Sequence, residues 1–239
     1  MSGHSKWATI KRQKGAQDAK RSETFTKLGN NITIAAKKGG GDPSANFSLR
    51  LAMDRARAAN MPKENIERAI KRGTGELAGN KIEELVLEGF GPGKVAIIIE
   101  AVTDNKNRTL PEIRTLFTKS GCQLGNAGSV SYQFKQQGVI RISVETNGGS
   151  SQLEEKTIES GAEDYKIEDN EMVVLTQIAD LQKVKEYFDS QNIVVESAKI
   201  EYLPTTTVDL STSDEDRLMK LMGELDERDD VGEIYTNAR

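Results

Sequence analysis

The chain has 239 residues, a net charge of −4 and 36% hydrophobic residues, which is enough apolar surface for one to three packed domains. Its single cysteine and single histidine exclude an intrachain disulfide and a His/Cys zinc cluster. No apolar run approaches the ~20 residues that span a bilayer and the N-terminus lacks an apolar secretory segment, so we expect a cytoplasmic protein with no membrane partner, metal or cofactor.

The charges are divided unevenly along the chain. Residues 1–75 hold 16 Lys and Arg against 6 Asp and Glu, whereas the remaining 164 residues hold 17 against 31. A basic module concentrates positive potential where phosphates can dock, and acidic modules repel the same polymer and so help to orient it. The division favours a nucleic-acid partner for the first third of the chain. The alternative is that the asymmetry serves solubility alone.

The basic third is predicted to be an arm followed by three helices. The arm lacks apolar periodicity, whereas the first helix has apolar residues at spacings of 3, 4 and 3, which place them on one face. Glycines are predicted to end the first and third helices, and an Asp-Pro pair to start the second. The predicted elements are an arm over residues 1–15, a helix with Phe25, Leu28, Ile32 and Ala35 inward that ends at Lys38, a helix from Asp42-Pro43, and a helix from Pro62 to Arg72 ended by Gly73.

Strand patterns begin after residue 76. Two apolar segments flank Gly91-Pro92-Gly93 as a hairpin, followed by a helix over Pro111 to Ser120 with Thr109 and Glu112 spaced as a capping box. Further strands are expected at 129–134 and 206–210. The stretch 138–203 reads as βαββαβ, and the segments on either side of it combine into a second such unit.

The sequence therefore predicts an α+β multidomain protein. A three-helix domain is followed by two ferredoxin-like domains, one inserted in the other. The expected boundaries are 1–75 for the arm and helices, 76–137 plus 204–239 for the outer α+β domain, and 138–203 for the inserted domain.

Catalytic motifs find little support. GFGPGK at 89–94 lacks the Ser/Thr and helix that must follow a phosphate-binding Walker loop, so it is interpreted as a turn. Nucleophilic catalysis by Cys122 would need a basic neighbour to activate the thiol, and the one histidine lies in the arm. The sequence thus disfavours an enzyme and a small-molecule substrate.

The arm contains the only tryptophan, Trp7, beside His4 and four basic residues. An aromatic side chain in a segment without a core gains energy by stacking on a base, at about 1–3 kcal/mol. The alternative is that Trp7 folds back onto the helices. In the loop TDNKNRT, Asp104, Asn105 and Arg108 are interpreted first as turn and cap residues and, as the alternative, as contacts with RNA or a partner.

Several stretches resemble the YebC/PmpR family along essentially the whole chain: SGHSKWATIKRQKGAQDAKR, GGGDPSAN, RAANMPKENIERAIKRGTGE, EGFGPGKVAIIIEAVTDNKNRT and GSVSYQF. The resemblance implies three domains and no enzymatic activity. It also implies either a DNA-binding transcriptional regulator or a ribosome-associated factor that helps synthesis through proline-containing stretches. It places the family's basic lead into the first helix on Lys20 and Arg21, among others. Glu23 and the GNN at 29–31 depart from the family pattern and weaken this helix as a basic face.

The sequence favours an RNA-bound translation factor, because it contains no helix-turn-helix pattern and a flexible aromatic and basic arm suits folded RNA. Duplex DNA is the second hypothesis and a protein-interaction adaptor the third. The oligomeric state stays open and a monomer is compatible with the sequence. The residues predicted to bind nucleic acid are His4, Lys6, Trp7, Lys11, Arg12, Lys14, Lys20, Arg21, Lys27, Arg50, Arg57, Lys63 and Arg72.

Overall fold

The structure is a computed structural model that describes residues 25–77, 82–168 and 170–239. The helices in these ranges are α1 (Phe25–Gly39), α2 (Phe47–Ala58), α3 (Lys63–Thr74), α4 (Lys106–Lys119), α5 (Ser150–Glu159), α6 (Leu181–Ser190) and α7 (Thr212–Asp226). The strands are β1 (Glu83–Phe90), β2 (Ala96–Thr103), β3 (Gln123–Leu124), β4 (Phe134–Ser143), β5 (Asp164–Glu168), β6 (Glu171–Thr176), β7 (Val195–Pro204) and β8 (Val231–Thr236). None of the described helices is both long and apolar enough to cross a membrane.

Helices α1 to α3 form a bundle around a common apolar core, as the sequence predicts. Leu28 and Ile32 of α1 are buried against Leu49 of α2 and Ile66 of α3. Phe25, which the periodicity also placed inward, is instead 46% exposed because it stands at the start of α1, beyond the end of the packed stripe. The predicted arm lies outside the described residues.

The predicted start of α2 is wrong. Asp42 accepts hydrogen bonds from the amide and hydroxyl of Ser44 and so closes a local turn, whereas the helix begins at Phe47. Its N-cap is Asn46, which accepts from the Leu49 amide at 3.0 Å. The amide nitrogen of Asn46 donates to two carbonyls at the end of α1, so one buried side chain caps both helices.

The predicted end of α3 is also corrected. Gly73 lies inside the helix, where α3 crosses α1 so closely that a Cβ atom would meet the Thr33 carbonyl oxygen and the Ala36 Cβ. The helix ends one residue later and is capped by Gly75, whose φ of 82° is left-handed. Glycine at 73 therefore serves close packing rather than helix termination.

Residues 82–135 and 203–239, here called the body, hold a four-stranded sheet in the order β3-β1-β2-β8. All three pairings are antiparallel, and α4 and α7 cover one face with a core that includes Ile99 and Phe117. The order is that of a ferredoxin-like sheet in which β2 is strand 1, β3 is strand 2 and β8 is strand 4. The place of strand 3, beside strand 1, is taken by β1, which precedes β2 in the chain.

The two strands predicted at 129–134 and 206–210 are therefore wrong. Residues Ser131–Gln133 form a 3₁₀ turn, and Val208 makes only an isolated bridge to Ala238. The hairpin of β1 and β2 already supplies the strand that completes the sheet. The connection between them, Pro92–Lys94, is a 3₁₀ turn, which confirms the interpretation of GFGPGK as a turn.

Gln136–Tyr202 form a second compact unit, the inserted unit. Its sheet has the order β5-β6-β4-β7, which is the ferredoxin-like order for the predicted βαββαβ sequence. Ile140 and Ile142 of β4 are fully buried, as are Val184 and Phe188 of α6. The three-domain boundaries predicted from the sequence are retained as a proposal.

One buried carboxylate organises the loop that leads out of the body. Glu88, on β1, is 6% exposed and accepts hydrogen bonds from the amides of Gly128, Val130 and Ser131 at 2.7–2.8 Å. Burial, the largest single influence, raises the pKa of this carboxyl, but the backbone donors together hold the pKa below its ordinary value of 4.5. Glu88 is therefore ionised in the folded protein at neutral pH.

The packing of Gly73 can be tested by substitution. We expect Gly73→Ala to destabilise the protein by about 1–3 kcal/mol, because the added methyl group overpacks the contact between α3 and α1. The matched control is Gly223→Ala in α7, where an added Cβ meets nothing within 4 Å and should stabilise the helix by about 0.5–1 kcal/mol. Urea unfolding gives both values, and equal effects of the two variants would contradict the close approach.

The role of Glu88 predicts a pH dependence. Glu88→Gln should cost about 2 kcal/mol at pH 7, because an amide replaces a carboxylate that accepts three backbone donors. The pKa of Glu88 is lower in the folded state, so its contribution is complete above about pH 4.5 and is lost as the pH falls through the folded-state pKa. The gap between wild-type and variant unfolding free energies should shrink below pH 4.5. A gap that is unchanged at pH 3 would refute this assignment.

Candidate nucleic-acid interface

The exposed face of α3 carries three cations. Arg68, Lys71 and Arg72 are spaced so that they share one side of the helix, and none forms an ion pair with any residue that the structure describes. Glu64 and Glu67 precede Arg68 and Lys71 by four residues, a spacing that allows ion pairs, but Glu67 instead lies 3.6 Å from Lys63. An exposed ion pair between residues three or four apart on a helix contributes only about 0.2–0.5 kcal/mol. The spacing therefore does not determine which of the possible ion pairs forms.

A groove runs between α1 and α3 beside these cations. Its volume is about 320 Å³, and it brings together an exposed aromatic ring, two side-chain amides and two guanidinium groups. These groups can stack on a base, hydrogen-bond to base edges and contact phosphates, respectively. The lining residues are Phe25, Thr26, Gly29, Asn30, Thr33, Met61, Asn65, Arg68, Ala69 and Arg72.

Of this set, the sequence predicted only Arg72 as a contact. Phe25 was assigned to the core and Asn30 to a stretch that weakens the basic face. A signal was nevertheless present for Phe25, which stands at the very start of the apolar stripe, where a helix end leaves side chains half exposed. The sequence around Asn65 gives no indication of a contact, because Asn65 lines the groove only through the way α3 packs on α1.

A larger cavity of about 530 Å³ adjoins the groove and shares Thr26, Asn30 and Arg72 with it. Its other wall comes from the body and is rich in carboxylates. That wall consists of Ile82, Asp104, Arg108, Glu112, Glu227, Arg228, Asp229 and Asp230. Carboxylates of this wall repel a phosphate chain, whereas the cations of α3 attract it. We therefore expect the surface that can bind nucleic acid to end at this cavity.

The loop 103–109 is held inside the body. Asn105 caps α4, which begins at Lys106, by accepting from the Arg108 amide at 3.2 Å. The predicted capping box is wrong because Thr109 lies within the first turn of this earlier helix, 2% exposed, and its hydroxyl donates to Asp230 at 2.5 Å.

Arg108 is neutralised within the same loop region. Its guanidinium lies 3.0 Å from Asp230 and 3.2 Å from Asp104. The hydrogen bond from Arg108 to Asp230, with a smaller influence of Asp104, raises the pKa of the guanidinium further above its usual value. This arrangement supports the turn-and-cap interpretation of Asp104, Asn105 and Arg108. A contact of this loop with RNA or a partner stays a prediction.

Several basic side chains of the bundle form contacts with the body. Lys27 of α1 is 6% exposed, and its ammonium donates to the Asp226 carbonyl at 2.5 Å and lies 3.5 Å from the Asp226 carboxylate. That carbonyl belongs to the last residue of α7, where helix carbonyls lack internal partners and a cation is favoured. Lys27 is thus buried inside the protein, which does not suit the predicted contact with nucleic acid.

Three more cations of the bundle reach the body. Lys37 donates to the Ile82 carbonyl at 2.7 Å, and Lys38 pairs with Glu84 at 2.7 Å. Arg55 lies 3.6 Å from Glu233 on β8. A count of charged residues in the sequence could not reveal these contacts, because a lysine that binds inside the protein and one that faces a partner contribute equally to the count. Ile34, which is buried but off the main apolar stripe, hints that α1 has a second covered side.

The other predicted residues fall into three groups. Arg50 holds the loop before α2 by donating to the Pro43 carbonyl at 2.7 Å, and its guanidinium stacks over the Phe47 ring. Arg57 and Lys63 are exposed and lie near Asp54 and Glu67. The residues of the arm, His4, Lys6, Trp7, Lys11, Arg12, Lys14, Lys20 and Arg21, lie outside the described residues.

Groups that could support catalysis are sparse in the described part of the chain. No cluster of three or more His, Cys, Asp or Glu there is arranged to hold a metal ion. Burial raises the pKa of the Cys122 thiol, with a smaller opposing influence of Arg217, so the thiol is protonated at neutral pH.

Comparison with known proteins covers nearly the whole chain. The family model described as "TACO1/YebC protein N-terminal domain" matches residues 5–76, and "TACO1/YebC second and third domain" matches residues 82–238. A relative from Geobacter sulfurreducens, named "Probable transcriptional regulatory protein", is 48% identical over 99% of this chain and 95% of its own length. One of the same name from Thermoanaerobacter pseudethanolicus is 46% identical over 100% and 97%.

A crystal structure of a conserved hypothetical protein from Aquifex aeolicus is also similar. It has a TM-score of 0.84 and 41% sequence identity, and the match covers 94% of this chain and 91% of that one. The fold described above is therefore shared by a solved structure.

The buried position of Lys27 predicts unequal effects of two lysine substitutions. Lys27→Met should destabilise the protein by about 3 kcal/mol, because it removes the cation of a buried ion pair that also donates to the last carbonyl of α7. Lys38→Met should change the unfolding free energy by less than about 1 kcal/mol, because its pair with Glu84 is solvent-exposed. Guanidinium unfolding of both variants measures the difference, and comparable losses would contradict the buried contact.

Proposed function

The chain belongs to the TACO1/YebC family, and from that premise we propose that it is a non-enzymatic, nucleic-acid-binding regulator of gene expression that uses its basic arm and its bundle. The observation that carries the proposal is the face of Arg68, Lys71 and Arg72, which has no internal counter-charge among the described residues and borders a groove with an exposed aromatic ring. Binding rather than catalysis is the role that such a surface suits.

RNA is the partner that the groove favours. Duplex DNA is read by a helix that enters the major groove with base-contacting side chains at its N-terminal end. The first turn of α3 instead contains Lys63 and Glu64, while Asn65 faces the groove shared with α1. An aromatic ring beside amides and guanidinium groups suits unpaired nucleotides, whose bases are free to stack.

We therefore propose an RNA-associated translation factor as the leading role, with the ribosome as its partner in the cytoplasm. Help with synthesis through proline-containing stretches rests on the family resemblance alone. The second candidate is a DNA-binding transcriptional regulator, which the names of the relatives favour. The arm residues from His4 to Arg21 would supply contacts in either role.

Substitution of the α3 cations tests the proposal. Arg68→Gln combined with Arg72→Gln should weaken binding of a single-stranded RNA oligonucleotide about tenfold at low salt. The slope of log K against log salt should fall by about 1.4, because two phosphate contacts are lost at about 0.7 each. Lys183→Gln is the control, since Lys183 is an exposed cation of the inserted unit that is not among the predicted contacts. Unchanged affinity of the double variant would refute the assignment of this face.

The class of polymer needs a separate experiment. Crosslinking in cells, followed by sequencing of the attached nucleic acid, should recover ribosomal RNA as the main species. Recovery of promoter DNA instead would replace the leading role with the second one.

A further inference from the structure

Tyr132 is the most exposed large hydrophobic side chain in the described part of the chain. It is 74% exposed and forms the middle of the 3₁₀ turn Ser131–Gln133, which connects the body to β4. This turn belongs to the GSVSYQF stretch that the proposed function leaves without a role. An aromatic ring in solvent adds little to folding, so its surroundings decide whether it is incidental.

The residues before Tyr132 are fixed by Glu88. The buried carboxylate accepts from the amides of Gly128, Val130 and Ser131, and the Glu88 carbonyl accepts from the Gly125 amide at 2.8 Å. Val130 itself is fully buried. The backbone therefore arrives at Tyr132 in one defined conformation.

The residue after Tyr132 is fixed independently. The Gln133 carbonyl accepts from the amide of Thr205 at 2.8 Å and from its hydroxyl at 2.9 Å. The Gln133 side chain accepts from Asn237 at 2.9 Å, and Asn237, which is fully buried, also accepts from the Ala96 amide on the neighbouring strand β2. Two separate polar networks thus hold the two flanks of one exposed ring.

Such an arrangement is typical of a contact that is ordered before its partner arrives. A ring on a fixed turn loses little conformational entropy on binding, which is how preorganised contacts gain affinity. The core needs no ring at this position, because Val130 and Phe134 on either side already fill it.

The surrounding charge indicates the kind of partner. From Ile113 to Val144 the chain contains no Asp or Glu, although residues 76–239 carry 31 acidic side chains. No other stretch of the chain without carboxylates is as long, and the part of it in the body carries three basic residues, Arg114, Lys119 and the exposed Lys135. The fourth, Arg141, is buried in the inserted unit against Glu201 and adds no surface charge here. A polyanion can approach this part of an otherwise acidic body without strong repulsion.

We propose that Tyr132 is a stacking platform for an unpaired base of RNA. The RNA would thereby contact the body through Tyr132 in addition to its main contact with the bundle. The proposal rests on the proposed function, because it takes the same polymer as partner. Base stacking on an aromatic side chain tolerates any sequence, so this contact adds affinity for single strands rather than sequence preference.

The test uses the full chain and a fluorescent single-stranded RNA long enough to reach both surfaces, with affinity read by anisotropy. Tyr132→Ala should weaken binding by about 5- to 150-fold, whereas Tyr132→Phe, which keeps the ring, should bind within about twofold of wild type. Ile158→Ala is the matched control, because Ile158 is 70% exposed and lies in the inserted unit. Thermal unfolding of Tyr132→Ala should match wild type, since the ring makes no core contact.

The outcomes separate the two proposals. If Tyr132→Ala binds as wild type while the Arg68 and Arg72 variant is weakened, the stacking platform is refuted and the proposed function stands. If Tyr132→Phe loses as much affinity as Tyr132→Ala, the hydroxyl acts rather than the ring, and the platform is again refuted. If the wild-type chain binds no RNA, both fail. A Tyr132→Ala variant that keeps RNA affinity but loses a protein partner would reassign the turn to protein contacts.

Discussion

The attachment of a basic bundle to an acidic body is the contact on which the rest of the molecule depends. Lys27 is the centre of it, because it is buried and satisfies both the terminal carbonyl of α7 and the carboxylate of Asp226. A helix end buried without such a partner would be costly. Lys37, Lys38 and Arg55 reinforce the same junction from its edges. These contacts hold the bundle against the body and so determine the position of the exposed face of α3.

This internal use of charge changes how the sequence should be read. The first 75 residues have ten more basic than acidic side chains, yet several of those cations are engaged with the body or with neighbouring carboxylates. Among the described cations of the bundle, Arg68, Lys71 and Arg72 of α3 have neither an ion pair nor a contact with the body, and they lie beside a groove with an aromatic ring. Net charge led to the hypothesis of a nucleic-acid partner, but it could not locate the surface that would bind it.

Local pattern predicted most of the elements, and nonlocal contacts explain the failures. The apolar spacing of Leu28 and Ile32 and the βαββαβ order of the inserted unit were readable because each depends on neighbours in sequence. Asn46 was missed as a cap because it bridges two helices, and Ser131–Gln133 was mistaken for a strand because its conformation is set by Glu88, more than forty residues away. The α1–α3 groove was missed for the same reason.

Residues 231–238 connect separate parts of the body. β8 pairs with β2 as an outer strand of the sheet, Ala238 is fully buried, and Asn237 joins β2 to the turn that carries Tyr132. The sheet consequently cannot close until residues 231–238 have been synthesised and have left the ribosome. A chain that stops before β8 would expose the apolar edge of β2, which makes incomplete chains recognisable to cellular quality control.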